Sequence, residues 1–144
     1  MTREEKQLLL KDLCGRLPYE LKGLQRGKVQ RLLIMDSFGS YQVNGYNAWF
    51  SLNSVEFKPY LRPMSSMTEE ELNECVYQSG IKDIECPNWQ DVPKEKQFEA
   101  RLNHSIAVFL TDSNNVDWLN AHHFDYRGLI EKGLALEAPE NMYK

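Results

Sequence analysis

The stretch of sequence that decides the fold is residues 41–50, Tyr41-Gln42-Val43-Asn44-Gly45-Tyr46-Asn47-Ala48-Trp49-Phe50. Aromatic and β-branched residues, which favour strands, lie on both sides of Asn44-Gly45. Both central residues tolerate the positive φ angles that a type I′ turn requires, and Asn-Gly between two such segments is a strong hairpin signal. The stretch therefore predicts a β-hairpin that turns at Asn44-Gly45.

More strands are predicted on both sides of this hairpin. Leu21–Gln25 and Val29–Met35 flank Arg26-Gly27, which has the composition of a second tight turn. Val55–Leu61 is the last predicted strand, and we expect it at a sheet edge or with a bulge, because Pro59 cannot donate a ladder hydrogen bond. This run of short strands predicts a small antiparallel β-meander, a pattern that small barrels share.

A helix is predicted before the sheet. Thr2 and Glu5 have the spacing of a capping box, so the helix should begin at Arg3. Gly15 is expected to end it, and Pro18 reinforces that break.

The sequence after Pro63 is predicted to be mainly helical. A second capping box, Thr68 with Glu71, begins a helix that should end at Gly80. The remaining predictions, in chain order, are a loop over Ile81–Pro93 anchored by Trp89, helices over Lys94–Leu110, Val116–His122 and Tyr126–Lys132, a strand over Leu134–Ala138, and a loose tail after Pro139. The chain is thus predicted to be a single α+β domain over residues 1–144, with the N-terminal helix and sheet in about 1–63 and a helical part in about 68–133.

Composition excludes several classes of protein. The 144 residues are 42% hydrophobic and 26% charged, which excludes a wholly disordered or fibrous chain. The apolar runs are too short for a bilayer, and the charged N-terminus does not resemble a secretory signal, so we expect no membrane partner and a cytoplasmic location. Cys14, Cys75 and Cys86 form no CxxC pair and are predicted to be reduced, mostly buried thiols.

Charge is unevenly distributed along the chain. Residues 1–34 carry eight Lys or Arg against four Asp or Glu, a net of +4, whereas residues 35–144 carry nine against seventeen, a net of −8. The basic N-terminal region supports nucleic-acid binding as one hypothesis, because such binding depends on neutralising phosphates. The alternative is an ordinary mixed-charge surface, and the acidic remainder of the chain repels phosphate.

The segment His122-His123-Phe124-Asp125 is the one constellation that resembles a reaction centre. Two imidazoles and a carboxylate, with His104 as a further nitrogen ligand, are residue types that hold a divalent metal and activate water for hydrolysis. Adjacent residues of a helix point about 100° apart, however, so His122 and His123 cannot both face one ion while helical. We favour the alternative, in which the histidines end one helix and the Asp125 carboxylate accepts amides at the start of the next. His122, His123 and Asp125 are kept as candidate metal ligands.

Lys58, Tyr60 and Arg62 alternate with other residues and so share one face of the last predicted strand. A basic and aromatic sheet surface can stack single-stranded bases, which makes these three residues candidates for binding. The alternative is that the aromatic residues of the sheet fill the core and the two cations only flank it.

A resemblance to a known family is carried by residues 58–71, KPYLRPMSSMTEEE, and residues 117–139, DWLNAHHFDYRGLIEKGLALEAP, with residues 13–18, LCGRLP, fitting the same pattern. These segments resemble an uncharacterised family of small proteins encoded in prophages and mobile elements of Bacteroides and relatives. They cover well under half of the chain, and the family has no known activity, so the resemblance implies no catalytic residues. It implies a bacterial cytosol and a phage-related setting.

The sequence contains no Walker loop and no GxGxxG, GxSxG or HExxH motif. No catalytic residue and no cofactor is therefore assigned, and we favour a non-enzymatic role. We expect an accessory protein that acts by binding another macromolecule, with a protein as the first expected partner and a nucleic acid as the alternative. A metal-dependent hydrolase at the His-His-x-Asp corner is a further alternative, and the sequence predicts no oligomeric state.

Overall fold

The computed structural model describes residues 1–79, Pro93, Lys96 and residues 113–143, and its fold is α+β as predicted. The helices are α1 (Arg3–Arg16), α2 (Glu69–Ser79) and α3 (Ser113–Ala121), with one-turn 3-10 helices at Leu17–Tyr19 and Met64–Ser66. The strands are β1 (Lys22–Gln25), β2 (Lys28–Met35), β3 (Ser40–Val43), β4 (Phe50–Ser51), β5 (Lys58–Pro63), β6 (Phe124–Asp125) and β7 (Leu136–Glu137). Apart from Pro93 and Lys96, the predictions for Gly80, for the loop Ile81–Pro93 with Cys86 and Trp89, and for the helix Lys94–Leu110 with His104 lie outside the described residues.

The chain divides into two compact units, Met1–Pro63 with Asn120–Lys144, and Met64–Leu119. In the second unit, α2 begins with the predicted capping box. The Thr68 hydroxyl accepts the Glu71 amide at 3.2 Å, and the Glu71 carboxylate accepts the Thr68 amide at 3.1 Å. Within the described ranges, no helix is both long and apolar enough to cross a membrane.

The first unit is built on a mixed sheet to which the described residues contribute seven strands, in the order β4-β3-β2-β1-β5-β6, with β7 also paired to β5. A meander runs through β1–β4, β5 returns to pair with β1, and β6 and β7 join β5 in parallel. The predicted turn between β1 and β2 is confirmed, because Arg26 and Gly27 have φ angles of 51° and 77°. The sheet formed by these described strands is open and does not close into a barrel.

The turn at Asn44-Gly45 differs from the prediction. β4 pairs with β3 through Phe50 opposite Tyr41, so the connection is a longer loop rather than a two-residue turn. Of the two turn residues only Gly45 has a positive φ, of 89°. The predicted type I′ turn does not form, because the Asn44 amide donates to the Arg31 carbonyl at 3.0 Å and this bond keeps Asn44 aligned with β2.

Pro59 was predicted to place its strand at a sheet edge or at a bulge, and the edge alternative is wrong. β5 lies inside the sheet, with β1 on one side and β6 and β7 on the other. Pro59 lies opposite Gly23 of β1, and the parallel pairing with β7 begins one residue later, at Tyr60. A side chain at position 23 would overlap the buried ring of Phe57, so glycine is required where β1 crosses that ring.

Helix α1 begins with the predicted capping box and ends one residue later than predicted. The Thr2 hydroxyl accepts the Glu5 amide at 3.1 Å, and the Glu5 carboxylate accepts the Thr2 amide at 2.8 Å. The helix continues through Gly15 to Arg16, since the Arg16 guanidinium pairs with Asp12 one turn earlier, 2.8 Å away.

The core of the first unit lies between α1, one face of the sheet and the C-terminal segment. Its larger members are Leu9 and Leu13 of α1, Leu32, Tyr41, Val43, Phe57 and Leu61 of the sheet region, and Leu129 and Leu134 of the C-terminal segment. The opposite face of the sheet is called the outer face below.

The C-terminal part is less helical than predicted. α3 and β7 are confirmed, but residues 126–132 form turns instead of a helix. The prediction of a loose tail after Pro139 is wrong as well. The Tyr143 hydroxyl lies within 3.2 Å of the Lys22 amide and carbonyl, and it donates to the Tyr60 carbonyl at 2.7 Å. Tyr143 therefore holds the tail at the point where the β1–β5 ladder ends.

Candidate functional site

The His-His-x-Asp corner follows directly on α3. His123 has a φ of 63° and donates its amide to the Asn120 carbonyl at 3.1 Å, so the histidine pair ends the helix through the backbone. The Asp125 carboxylate accepts the amides of Leu129 and Ile130 at 2.9 and 3.0 Å. Asp125 thus accepts amides, but they belong to a turn four and five residues ahead and not, as predicted, to the first turn of a helix.

The corner gives a metal site little support. Among the described residues, no group of three or more His, Cys, Asp or Glu side chains is placed to hold a metal ion. Both carboxylate oxygens of Asp125 already accept amides, and His104 lies outside the described residues. In the part of the chain that the structure describes, the geometry favours a structural joint.

His123 is almost fully buried, with 6% of its surface exposed. Its ring stacks on that of Tyr143, with centroids 3.6 Å apart and planes 14° from parallel. Burial, assisted by the positive charge of Arg16, lowers the pKa of His123 to about 4, and burial raises the pKa of Tyr143 to about 12. Among the described residues, the Nδ1 atom of His123 finds no hydrogen-bond partner. This imidazole is therefore neutral at physiological pH and serves as a packed ring.

A buried ion pair that the sequence prediction missed links α1 to the corner. Arg16 and Asp12 are both fully buried, and the guanidinium contacts the carboxylate through two bonds, at 2.8 and 3.1 Å. Arg127 adds a third bond to Asp12 at 3.1 Å, and Arg16 also donates to the Phe124 carbonyl at 2.6 Å. The i, i+4 spacing of Asp12 and Arg16 was the available signal. Because two guanidinium groups engage the carboxylate, we assign it a structural role.

The two described cysteines are poor nucleophiles. Cys14 is exposed, contrary to the prediction, and Cys75 is buried. Partial desolvation and then the Asp36 carboxylate raise the pKa of Cys14, whereas burial raises the pKa of Cys75 to about 11. Both thiols are held protonated, and only the thiolate reacts readily.

The candidate binding residues of β5 do share one face of that strand. Lys58, Tyr60 and Arg62 are each half-buried. The Lys58 ammonium lies 3.5 Å from the Glu56 carboxylate, and the Arg62 guanidinium lies 4.2 Å from the centre of the Phe124 ring. Lys58 lies opposite Leu24 of β1, which places it at the border of the outer face described next.

The outer face carries exposed apolar side chains on β2. Val29, Leu33 and Ile34 are 53%, 40% and 47% exposed. Alternation along the strand turns Val29 and Leu33 away from the buried face, and a register shift after Leu32 brings Ile34 opposite Gln42. These three side chains are called the apolar row.

Charged side chains lie within and beside the apolar row. Arg31 lies on this face between Val29 and Leu33, opposite Lys22 of β1, and Lys58 lies on β5 opposite Leu24. The Arg31 guanidinium is 3.7 Å from the carboxylate of Glu20, whose side chain is 79% exposed, and Glu56 beside Lys58 is 74% exposed. The face thus combines apolar groups with Arg31 and Lys58, whose carboxylate partners are largely in solvent. The Lys22 ammonium instead donates to the Met142 carbonyl at 3.4 Å.

Exposed aromatic rings lie in the loops before and after β3. Phe38, Tyr46 and Trp49 are 81%, 42% and 53% exposed. The Tyr46 ring packs edge to face on the Phe50 ring, with centroids 5.8 Å apart. The Arg26 guanidinium lies 5.3 Å from the centre of the Phe50 ring. This edge of the sheet combines aromatic groups with one cation.

The sequence contained a signal for the apolar row that the prediction did not use. Leu32, Leu33 and Ile34 are consecutive apolar residues in a predicted strand. Side chains of a strand alternate between its faces, so at least one of three consecutive apolar residues must leave the core.

Comparisons of the chain with protein-family models, with curated proteins and with solved structures find no match. The basis for a functional assignment is therefore the chemistry of the described surfaces. The apolar row and Arg31 have the composition of a binding surface, since grouped exposed apolar side chains mark interaction sites and arginine is enriched at interfaces.

Proposed function

We propose that this protein is a non-enzymatic accessory protein that binds another protein through its outer face. The observation that carries the proposal is the exposure of Val29, Leu33 and Ile34 along one strand, at 53%, 40% and 47%. Grouped apolar side chains on a protein surface mark interaction sites, because covering them removes apolar area from water. Aliphatic groups cannot stack on bases, so the row favours a protein over a nucleic acid.

The resemblance to prophage and mobile-element proteins supports a bacterial cytosolic setting for this binding. In such a setting the partner is a protein of the host cell or of the mobile element.

The first test compares a variant of the apolar row with a variant elsewhere. V29T/L33T/I34T places β-branched threonine, which suits a strand, at all three positions and removes the apolar character of the row. W49S removes an exposed aromatic ring from the β3–β4 loop and serves as the control. Cross-linking in a bacterial lysate followed by reconstitution with the purified partner should give binding by the wild type and W49S, and loss of binding by the triple variant. A partner that the triple variant binds as well as the wild type does would contradict the proposal.

Nucleic-acid binding is the second candidate, and it is favoured by the edge aromatics. Tyr46, Trp49 and Arg26 could stack on bases and approach phosphates. Filter binding of a single-stranded oligonucleotide over a salt series tests this directly. Affinity that falls steeply with salt and is lost in W49S would support it, whereas negligible affinity at low salt would remove it.

A further inference from the structure

The outer face also indicates what kind of protein segment it binds, an inference that rests on the proposed function. The edges of the sheet offer little to a partner strand. Among the described residues, the terminal strands β4 and β6 contain two residues each. A partner that adds a strand needs a longer row of free amides and carbonyls, because main-chain hydrogen bonds supply its affinity. A partner is therefore expected to lie across the face.

The dimensions of the apolar row match a short helix. Val29 to Ile34 spans five residue steps, or about 16 Å at the rise of a strand. A helix covers that distance in about 11 residues, which is about three turns. Packing a helix on a sheet is a common way to bury an apolar sheet face.

The charges indicate the chemistry of that helix. Arg31 lies on the face itself between Val29 and Leu33, and Lys22 and Lys58 lie beside the row on β1 and β5. Arg31 lies 3.7 Å from the Glu20 carboxylate, whose side chain is 79% exposed. Lys58 lies 3.5 Å from the Glu56 carboxylate, whose side chain is 74% exposed. Exposed ion pairs of this kind contribute little to stability, so a partner's carboxylates can replace these two. A second copy of this chain would bring like cations together on the face, which disfavours self-association.

We infer that the outer face binds one amphipathic helix of a protein partner, about three turns long, with an apolar stripe flanked by acidic residues. The stripe covers Val29, Leu33 and Ile34, and the partner's carboxylates replace those of Glu20 and Glu56 beside Arg31 and Lys58.

The test uses two covalently stapled helical peptides of about 15 residues, since shorter isolated helices are marginal in water. Both carry the same leucine stripe, and their flanks are glutamate in one and lysine in the other. Fluorescence anisotropy at low salt should show binding of the glutamate peptide about tenfold tighter than that of the lysine peptide. V29T/L33T/I34T should bind neither peptide.

Charge reversal on the face provides the sharper comparison. R31E should weaken the glutamate peptide about tenfold and strengthen the lysine peptide, because it places a carboxylate beside the stripe. R3E makes the same change in net charge at an exposed position of α1 and should leave both affinities unchanged. Circular dichroism melting of each variant checks that the fold is intact.

The outcomes separate this inference from the proposed function. Equal binding of the two peptides, or binding of neither, would overturn the inference that the partner helix is acidic. The proposed function would still stand if V29T/L33T/I34T fails to bind the partner that the wild type binds in the lysate. The inference would also be overturned if the chain forms a dimer that V29T/L33T/I34T disrupts. It would equally be overturned if an oligonucleotide binds where neither peptide does and W49S abolishes that binding.

Discussion

His123 gives the fold a defined sensitivity to acid at the scale of a single residue. Its pKa is about 4 in the folded protein and 6.5 in the unfolded chain, because burial disfavours the charged ring. Above pH 6.5 both states hold a neutral imidazole, and its contribution to stability is fully present. As the pH falls from 6.5 to 4 the unfolded chain takes up a proton that the folded protein refuses, so up to about 3 kcal/mol of stability is lost.

H123F isolates this effect, since phenylalanine keeps a ring to stack on Tyr143 and does not titrate. Urea unfolding from pH 7 to 4 should show a shallower loss of stability in H123F than in the wild type, with H122F as the control. Identical pH profiles for H123F and the wild type would show that His123 is not the sensitive group.

Asp12 is the residue on which the buried charges depend. It provides the carboxylate for the fully buried Arg16 and a bond to Arg127, so D12A should leave a buried guanidinium unpaired. The expected loss is about 3–5 kcal/mol, measured by urea unfolding. D12A/R16M removes both charges and should recover much of that loss. A loss below about 1 kcal/mol in D12A would contradict this role.

At the scale of elements, the corner after α3 shows how far a local signal reaches. The sequence correctly indicates that the Asp125 carboxylate accepts backbone amides, but it wrongly predicts that those amides belong to a helix. Asp125 was expected to accept amides at the start of a helix, and it does accept two amides. A helix over residues 126–132 does not form, and Gly128 and Gly133 adopt positive φ angles of 72° and 73°. A helix N-cap accepts amides two and three residues ahead, whereas Asp125 accepts those four and five ahead. The sequence alone indicates that an aspartate will accept amides, but it does not indicate which ones.

Asp125 should therefore matter for this turn. D125A leaves the amides of Leu129 and Ile130 without their acceptor, and the Leu129 amide is buried. We expect a loss of about 2 kcal/mol, measured as a lower urea midpoint. D125N keeps one acceptor oxygen and should lose less. An unchanged midpoint in D125A would show that water replaces the carboxylate at no cost.

Elements fixed by neighbouring residues were predictable, and those fixed by distant contacts were not. The capping boxes at Thr2 and Thr68 formed because each needs only residues three apart. The turn at Asn44-Gly45 shifted because a hydrogen bond to Arg31, on another strand, aligned Asn44 with β2. Similarly, Tyr143 holds the tail through contacts with Lys22 and Tyr60, which no local pattern near residue 143 indicates.

At the scale of the whole molecule, the α+β class followed from the order of helical and strand patterns along the chain. The candidate surface did not follow, because it depends on which face of β2 the core covers. Lys58 borders that surface, but the apolar row itself became visible only with the strand register. Periodicity predicts that a strand has two faces, whereas packing decides which one is buried.

Two neighbouring leucines provide the decisive check on that assignment. Leu32 is 2% exposed and Leu33 is 40% exposed, although both lie on β2 and have the same side chain. L32T should lose about 3 kcal/mol or more by placing a hydroxyl and a cavity in the core, whereas L33T should lose less than about 1 kcal/mol. Urea unfolding measures both, and the peptide assay should show the reverse order, with binding reduced in L33T and retained in folded L32T. Comparable losses of stability in the two variants would mean that β2 is covered on both faces, and the outer face would then not be available to a partner.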